Sequence, residues 1–175
     1  MNEEARVLVS IVMGSDSDLF VMKEAAELLN KFGVRNEVKV VSAHRTTKRM
    51  ISYAMDAQKR GLEVIIAGAG GSAHLPGMVA SLTSIPVIGV PIKTAGMDGL
   101  ESLLSIVQMP PGIPVGTVAI NGAKNAAILA CQILAIKHKK ISTQIRIYKK
   151  NLEKQITKKA KKLESIGYKK YLANL

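Results

Sequence analysis

The sequence predicts an α/β protein: a three-layer α/β/α sandwich with a parallel five-stranded sheet and a C-terminal helical extension. Three observations carry this. Five short β-branched runs alternate with five helix-forming stretches. The strand runs are mostly continuous in apolar residues, as expected for strands covered on both faces. Each strand leads into a turn rich in Gly, Ser, Asp or Thr.

Arg6–Met13 (RVLVSIVM) is the first strand and stops at Gly14. Ser15-Asp16-Ser17-Asp18 follows, four residues that all favour helix N-caps. Leu19–Phe32 is the first helix, closed by Gly33 in the position where a left-handed residue ends helices. Glu37–Ser42 is the second strand, and Thr46–Arg60 the second helix, closed by Gly61. Leu62–Ala67 is the third strand. His74–Leu82 is the third helix, with Pro76 tolerated in its first turn. Pro86–Val90, Asp98–Gln108, Val115–Ile120 and Ala123–Lys137 complete the alternation. Crossovers in such a sheet are right-handed. Ligands bind beyond the carboxyl ends of the strands, near the switch in strand order.

A chain of 175 residues buries a core without disulfides or a structural metal. The single Cys131 excludes an intramolecular disulfide and lies in the apolar run Ala126–Ile136, where a thiol is buried and inert. A reducing, cytoplasmic compartment suits it. No uncharged apolar run is long enough to span a membrane. The start, MNEEARVLVSIVMG, is acidic where a secretory leader is basic. The net charge of +12 is uneven. Residues 1–136 hold 12 Lys/Arg against 11 Asp/Glu, whereas residues 137–175 hold 13 against 2. The body is nearly neutral, so nucleic acid is not expected as its partner. Aromatics at 3%, with no Trp, also disfavour a base-stacking surface.

The strand-to-helix turns hold the candidate chemistry. Ser15, Asp16, Ser17 and Asp18 offer hydroxyls and a helix start for an anion, and carboxylates for ribose hydroxyls. Plain helix capping accounts for the same residues. The two Asp lack the further ligands a metal would need, so no metal is expected. Ser42-Ala43-His44-Arg45-Thr46-Thr47 places an imidazole suited to proton transfer near neutral pH beside a planar fork for phosphate. A capped helix start with a solvated basic pair is the alternative. Gly68-Ala69-Gly70-Gly71-Ser72-Ala73-His74 fits G-x-G-x-x-A, but the acidic residue a dinucleotide site needs is missing from Ile88–Ala95. The loop reads better as bare backbone against a flat ligand. Met97, Leu103, Leu104 and Met109 read as core. No G-x-S-x-G elbow exists, and His44, His74 and His138 form no zinc spacing.

Together, Gly14–Asp18, Ser42–Thr46, Gly68–Met78 and the Ser102–Pro110 block (SLLSIVQMP) resemble the class I N5-carboxyaminoimidazole ribonucleotide mutases of de novo purine synthesis. The resemblance covers about residues 6–136. Arg45 and the block His74-Leu75-Pro76-Gly77-Met78 look like the mutase; related carboxylases that use free CO2 usually carry a lysine and a different glycine block. Three departures stand out. Thr47 and Ser72 replace the family's usual proline and alanine, and the Ile92–Met97 stretch differs from the commoner pattern.

The resemblance implies a flavodoxin-like sandwich, a homo-octamer with shared active sites, and no cofactor. The implied reaction moves a carboxylate from an exocyclic nitrogen to ring carbon 4 by decarboxylation and recapture of CO2. His44 is then the proton shuttle, with His74 supporting it. Arg45, Ser15 and Ser42 bind phosphate, and Asp18 takes ribose hydroxyls. Gly70, Gly71 and Ser72 present backbone N–H donors to the base and carboxylate. Asp16, Ser17, Ala43, Ala69 and Leu75 complete the nucleotide-binding set. A direct aminoimidazole ribonucleotide carboxylase and a non-catalytic nucleotide-binding module are the competing readings.

Residues 1–140 are expected to form the catalytic domain and 141–175 a basic amphipathic extension. Ile141, Ile145, Tyr148, Leu152, Ile156, Ala160, Leu163 and Ile166 fall at steps of three or four, one apolar face of a long helix. That face is expected to pack on a neighbouring subunit; a solvated basic arm is the alternative.

Overall fold

The computed structural model describes residues 6–175. The acidic start on which the leader expectation rests lies mostly outside the described residues. Strands β1 (Val9–Met13), β2 (Asn36–Val40), β3 (Val64–Gly70), β4 (Val87–Ile92) and β5 (Gly116–Thr117) form one parallel sheet in the order β2-β1-β3-β4-β5. Helices α1 (Leu19–Lys31) and α5 (Ala123–Ala135) cover one face. Helices α2 (Thr47–Asp56), α3 (Leu75–Ala80) and α4 (Leu100–Val107) cover the other. The flavodoxin-like three-layer sandwich is therefore present, followed by α6 (Lys139–Ile166) and α7 (Tyr168–Leu172).

The pleat of the sheet divides the core in two. Val9, Ile11, Met13, Val64 and Ile66 point to α1 and α5, while Val12, Ile65, Ala67 and Ala69 point to α2, α3 and α4. Both faces are buried along β1, β3 and β4. Strand β2 is an edge, and its Asn36, Glu37 and Lys39 break the apolar pattern. Cys131 is fully buried, and burial pushes its thiol up to about 12, as its apolar surroundings imply.

Two expectations are corrected. The last strand is two residues long rather than Val115–Ile120. Its neighbour explains this. Gly89 and Pro91 of β4 present their carbonyls to Val118 and Asn121, but Pro91 has no N–H to return on that side. The chain keeps to β4 without a full ladder. Met97 and Leu104 are not core: they are 57% and 42% exposed, and Leu103 and Met109 are half-buried. Only one stripe of α4 meets the sheet, and Ser102 and Ile106, four apart, occupy it.

The extension is not wholly separate from the body. Ile141 and Ile145 join the α1–α5 core, and Tyr148 meets Phe32 edge-on with ring centroids 5.3 Å apart. From Lys149 to Ser165 every residue is exposed. Helix α6 ends at Gly167, whose φ is +73°.

Gly89 sits where β4 meets α4. A Cβ there would overlap Ile106 Cγ2 and lie 3.0 Å from Val115 Cγ1, both on stiff β-branched side chains. Gly89→Ala is expected to destabilise the fold by about 1–3 kcal/mol, read as a lowered Tm in thermal denaturation.

Candidate active site

The order β2-β1-β3 reverses direction at β1, which makes the β1/β3 boundary the switch point. In register, Met13 lies opposite both Val40 and Gly68. The three strands therefore reach one edge of the sheet together. The turns that follow them surround a cleft of about 280 Å³. Ser15, Asp18, Ser42, Ala43, His44, Arg45, Ala69, Gly70, His74 and Leu75 line it, joined by Gly14 and Ala73.

The first turn is a reciprocal cap. Ser15 Oγ accepts from the Ser17 amide at 3.4 Å, and Asp18 Oδ2 accepts from the Ser15 amide at 3.2 Å. Asp16 Oδ1 accepts from the Ser15 hydroxyl and the Ser17 amide, both at 3.1 Å. Asp16 and Ser17 are exposed and lie outside the cleft lining, so they shape the turn rather than the wall. Asp18 is buried and faces the cleft. Burial raises its carboxyl above the usual range, against the lowering pull of hydrogen bonds from Ser15, Ser17 and Gly14 and of the Arg45 charge. Capping and cleft lining are thus two uses of one side chain.

The second turn is tied to the first by Arg45. Its Nη2 donates to the Gly14 carbonyl at 2.8 Å and its Nε to Ser42 Oγ at 3.4 Å. Its amide also donates to Ser42 Oγ, at 3.2 Å. The rest of the guanidinium fork remains for an anion. Thr46 Oγ1 donates to the Ser42 carbonyl and accepts from the Ser42 amide, both at 3.1 Å. Thr47 Oγ1 donates to the Ala43 carbonyl at 2.8 Å. His44 is held between these anchors with its ring exposed.

The third turn leaves β3 at Gly70. Gly71 has φ +65° and Ala73 has φ +40°, a region a side chain rarely adopts. The Ala73 amide donates to the Gly70 carbonyl at 3.2 Å. His74 then opens α3. Its Nδ1 lies 2.7 Å from His44 Nε2, and the two rings meet edge-on with centroids 4.9 Å apart. One ring must donate the proton between these nitrogens and the other accept it.

Two expected residues behave differently. The Gly71 N–H is taken by Ser102 Oγ at 2.9 Å, so it is not a free donor for a ligand. Ser72 is exposed and, like Gly71, lies outside the cleft lining. Three contributors lie inside the motif blocks but receive no role from the sequence: the Gly14 carbonyl, the strained Ala73, and Ser102. A serine in the otherwise apolar inward stripe of α4 was the one available signal. Among the described residues, no group of three or more His, Cys, Asp or Glu could hold a metal ion. No helix among them is long and apolar enough to cross a membrane.

A family model described as AIR carboxylase matches residues 8–155. A protein of Thermotoga maritima named N5-carboxyaminoimidazole ribonucleotide mutase is 62% identical over 164 residues, covering 94% of this chain and 96% of its own. One of the same name from Pyrococcus horikoshii is 60% identical, covering 95% and 94%. A Candida albicans protein named phosphoribosylaminoimidazole carboxylase is 58% identical over 95% of this chain, which spans only 29% of that longer protein. The crystal structure of Treponema denticola PurE superimposes with a TM-score of 0.81 at 30% identity, covering 89% of this chain and 98% of that one. On the match to more than four-fifths of its length and on these identities, the chain belongs to the AIR carboxylase family.

Proposed function

We propose that this chain is an N5-carboxyaminoimidazole ribonucleotide mutase, the isomerase of purine biosynthesis that converts its substrate to 4-carboxyaminoimidazole ribonucleotide. The observation that carries the reading is the His44–His74 pair, 2.7 Å apart in the lining of a cleft that Arg45 and Asp18 also line. The names of relatives at 60% identity and above agree with it.

The chemistry divides among the turns. Arg45, Ser15 and Ser42 bind the phosphate, and Asp18 takes the ribose hydroxyls. Ala43, Ala69, Gly70 and Leu75 form the wall against the flat base. Gly71 and Ser72 shape the loop behind it, and Asp16 and Ser17 hold the first turn. His44 gives a proton to the exocyclic nitrogen as the carbamate C–N bond breaks and CO2 departs. Ring carbon 4 attacks the held CO2 and forms the new C–C bond. The proton displaced from carbon 4 returns to His44. Atoms and protons balance, so no metal, ATP or biotin is expected. Confining CO2 beside carbon 4 replaces a bimolecular encounter with a unimolecular one. His74 sets which nitrogen of His44 carries the proton.

The catalytic unit is residues 1–140, with the first turns of the 141–175 extension sharing its core. The enzyme is cytoplasmic and a homo-oligomer, read as an octamer. The apolar face of α6 supports self-association. Leu152, Ile156 and Leu163 are 43%, 63% and 41% exposed, and they continue the stripe that seats Ile141 and Ile145. The second reading, direct carboxylation of aminoimidazole ribonucleotide, is favoured by the relatives named carboxylase. An assay with the carboxylated substrate, without ATP or bicarbonate, separates the two: turnover supports the mutase, and dependence on bicarbonate supports the carboxylase.

His44→Asn is expected to lower turnover by roughly 100-fold or more while nucleotide binding persists. Near-normal turnover would remove the shuttle assignment. Arg45→Ala is expected to raise KM by about tenfold or more through loss of charge-assisted hydrogen bonds, with a smaller change in kcat. Deleting residues 141–175 would strip Ile141 and Ile145 from the core, so a stop after Lys149 is the cleaner probe of the tail. It is expected to shift the protein to a smaller species on a sizing column; an unchanged elution position would argue that the face stays solvated.

A further inference from the structure

Ser102 lies outside the cleft lining, yet its position links it to the catalytic pair. It is the fully buried polar residue of α4, and its hydroxyl makes two hydrogen bonds. Oγ accepts from the Gly71 amide at 2.9 Å and donates to the Ile92 carbonyl at 2.8 Å. A hydroxyl sunk in an apolar helix face is costly unless both capacities are used, and here both are.

The two partners are where the sheet ends. The β3–β4 ladder stops at the pair Gly70 and Ile92. The next backbone N–H, just past the end of β3, is that of Gly71, which has no rung to join. Ser102 supplies that rung from the helix, and the Ile92 carbonyl holds the hydroxyl in place. At this point the turn takes two left-handed residues, Gly71 at +65° and Ala73 at +40°. A non-glycine residue stays in that region only when its surroundings enforce it. One residue later stands His74, whose Nδ1 meets His44 Nε2.

We propose that Ser102 is a positioning residue for the histidine pair: it pins Gly71 to Ile92 and so fixes the turn that delivers His74 to His44. The inference rests on the mutase reading for its kinetic arm alone. Ser102 touches neither ring and acts through the Gly71–Ala73 backbone. Replacing it with alanine leaves a half-buried N–H and a buried C=O without this partner, and the strained turn loses its outer anchor.

The test compares the full-length wild type with Ser102→Ala and with Ser102→Cys. The cysteine keeps the side-chain shape with a slightly larger atom and weakens both bonds, so it carries the test if the alanine protein does not fold. Three readouts are taken: kcat and KM separately, amide exchange at Gly71, and the imidazole resonances of His44 and His74. The expected result is a kcat lower by about tenfold or more with a smaller change in KM. Gly71 exchange should rise by a similar factor, and the imidazole resonances should move. Wild-type kcat in both variants overturns the proposal. A lowered kcat with Gly71 exchange and both imidazoles unmoved also overturns it. If wild type itself shows no mutase turnover, the functional reading falls, and the exchange and imidazole measurements still decide the role of Ser102.

Discussion

The site depends on one constraint, the register that carries β1, β2 and β3 to the same edge of the sheet at a reversal of strand order. In a parallel sheet the register of each strand fixes where its following turn begins. Met13 opposite Val40 and Gly68 brings three turns to one rim. None of these turns could hold a nucleotide alone. The first offers caps, the second a guanidinium and an imidazole, the third bare backbone and a second imidazole. Their convergence is a consequence of the ladder. The hydrogen bond from Arg45 to the Gly14 carbonyl is its local expression, since it fastens two turns 31 positions apart in the chain.

Much of this was readable in the residues, and the reasons differ by element. Runs such as Val64–Ala67 are apolar at every position because both faces of the strand are covered, so strand and layer were predicted together. Strand β2 shows the limit of that signal. Its Glu37 and Lys39 look unsuited to a sheet, but at an edge they are satisfied by Ser10 and Arg60 and by each other. Strand β5 was over-read because nothing within Val115–Ile120 announces that Pro91, on another strand, withholds a donor. Met97 and Leu104 were over-read for a similar reason. Hydrophobicity marks a side chain as able to be buried, whereas the two-position inward stripe of α4 decides which ones are.

The candidate site was legible as a set of turns and illegible as a set of bonds. The imidazole of His44 and the fork of Arg45 stand out by residue type. The commitment of the Gly71 amide to Ser102 does not, because the partners lie 31 positions apart and the hydroxyl hides in an apolar helix. Asp18 shows the complementary case. Capping and ligand binding looked like rival explanations in the sequence, yet one carboxylate both receives the Ser15 amide and faces the cleft. A carboxylate fixed from behind by its own turn has already given up rotamer freedom, so the cap holds it facing the cleft.

The same logic explains the departure at Thr47. A proline at a helix's first position narrows the backbone by its ring. Thr47 has no such ring, and its hydroxyl instead donates to the Ala43 carbonyl at 2.8 Å. Ala43 immediately precedes His44, so the bond restrains the peptide that carries the imidazole. Thr46 restrains Ser42 in the same way, through both its carbonyl and its amide. The loop thus exchanges a restraint built into one residue's covalent geometry for hydrogen bonds spread over two threonines. Such bonds hold only while the loop is folded against them. The rigidity of His44 is therefore coupled to the packing of α2 beneath it, through the fully buried Met50 and the buried Tyr53 of that helix. A substitution that loosens α2 on the sheet would be felt at the imidazole, whereas the adjacent Arg45 keeps one further tie, to the Gly14 carbonyl of the first turn.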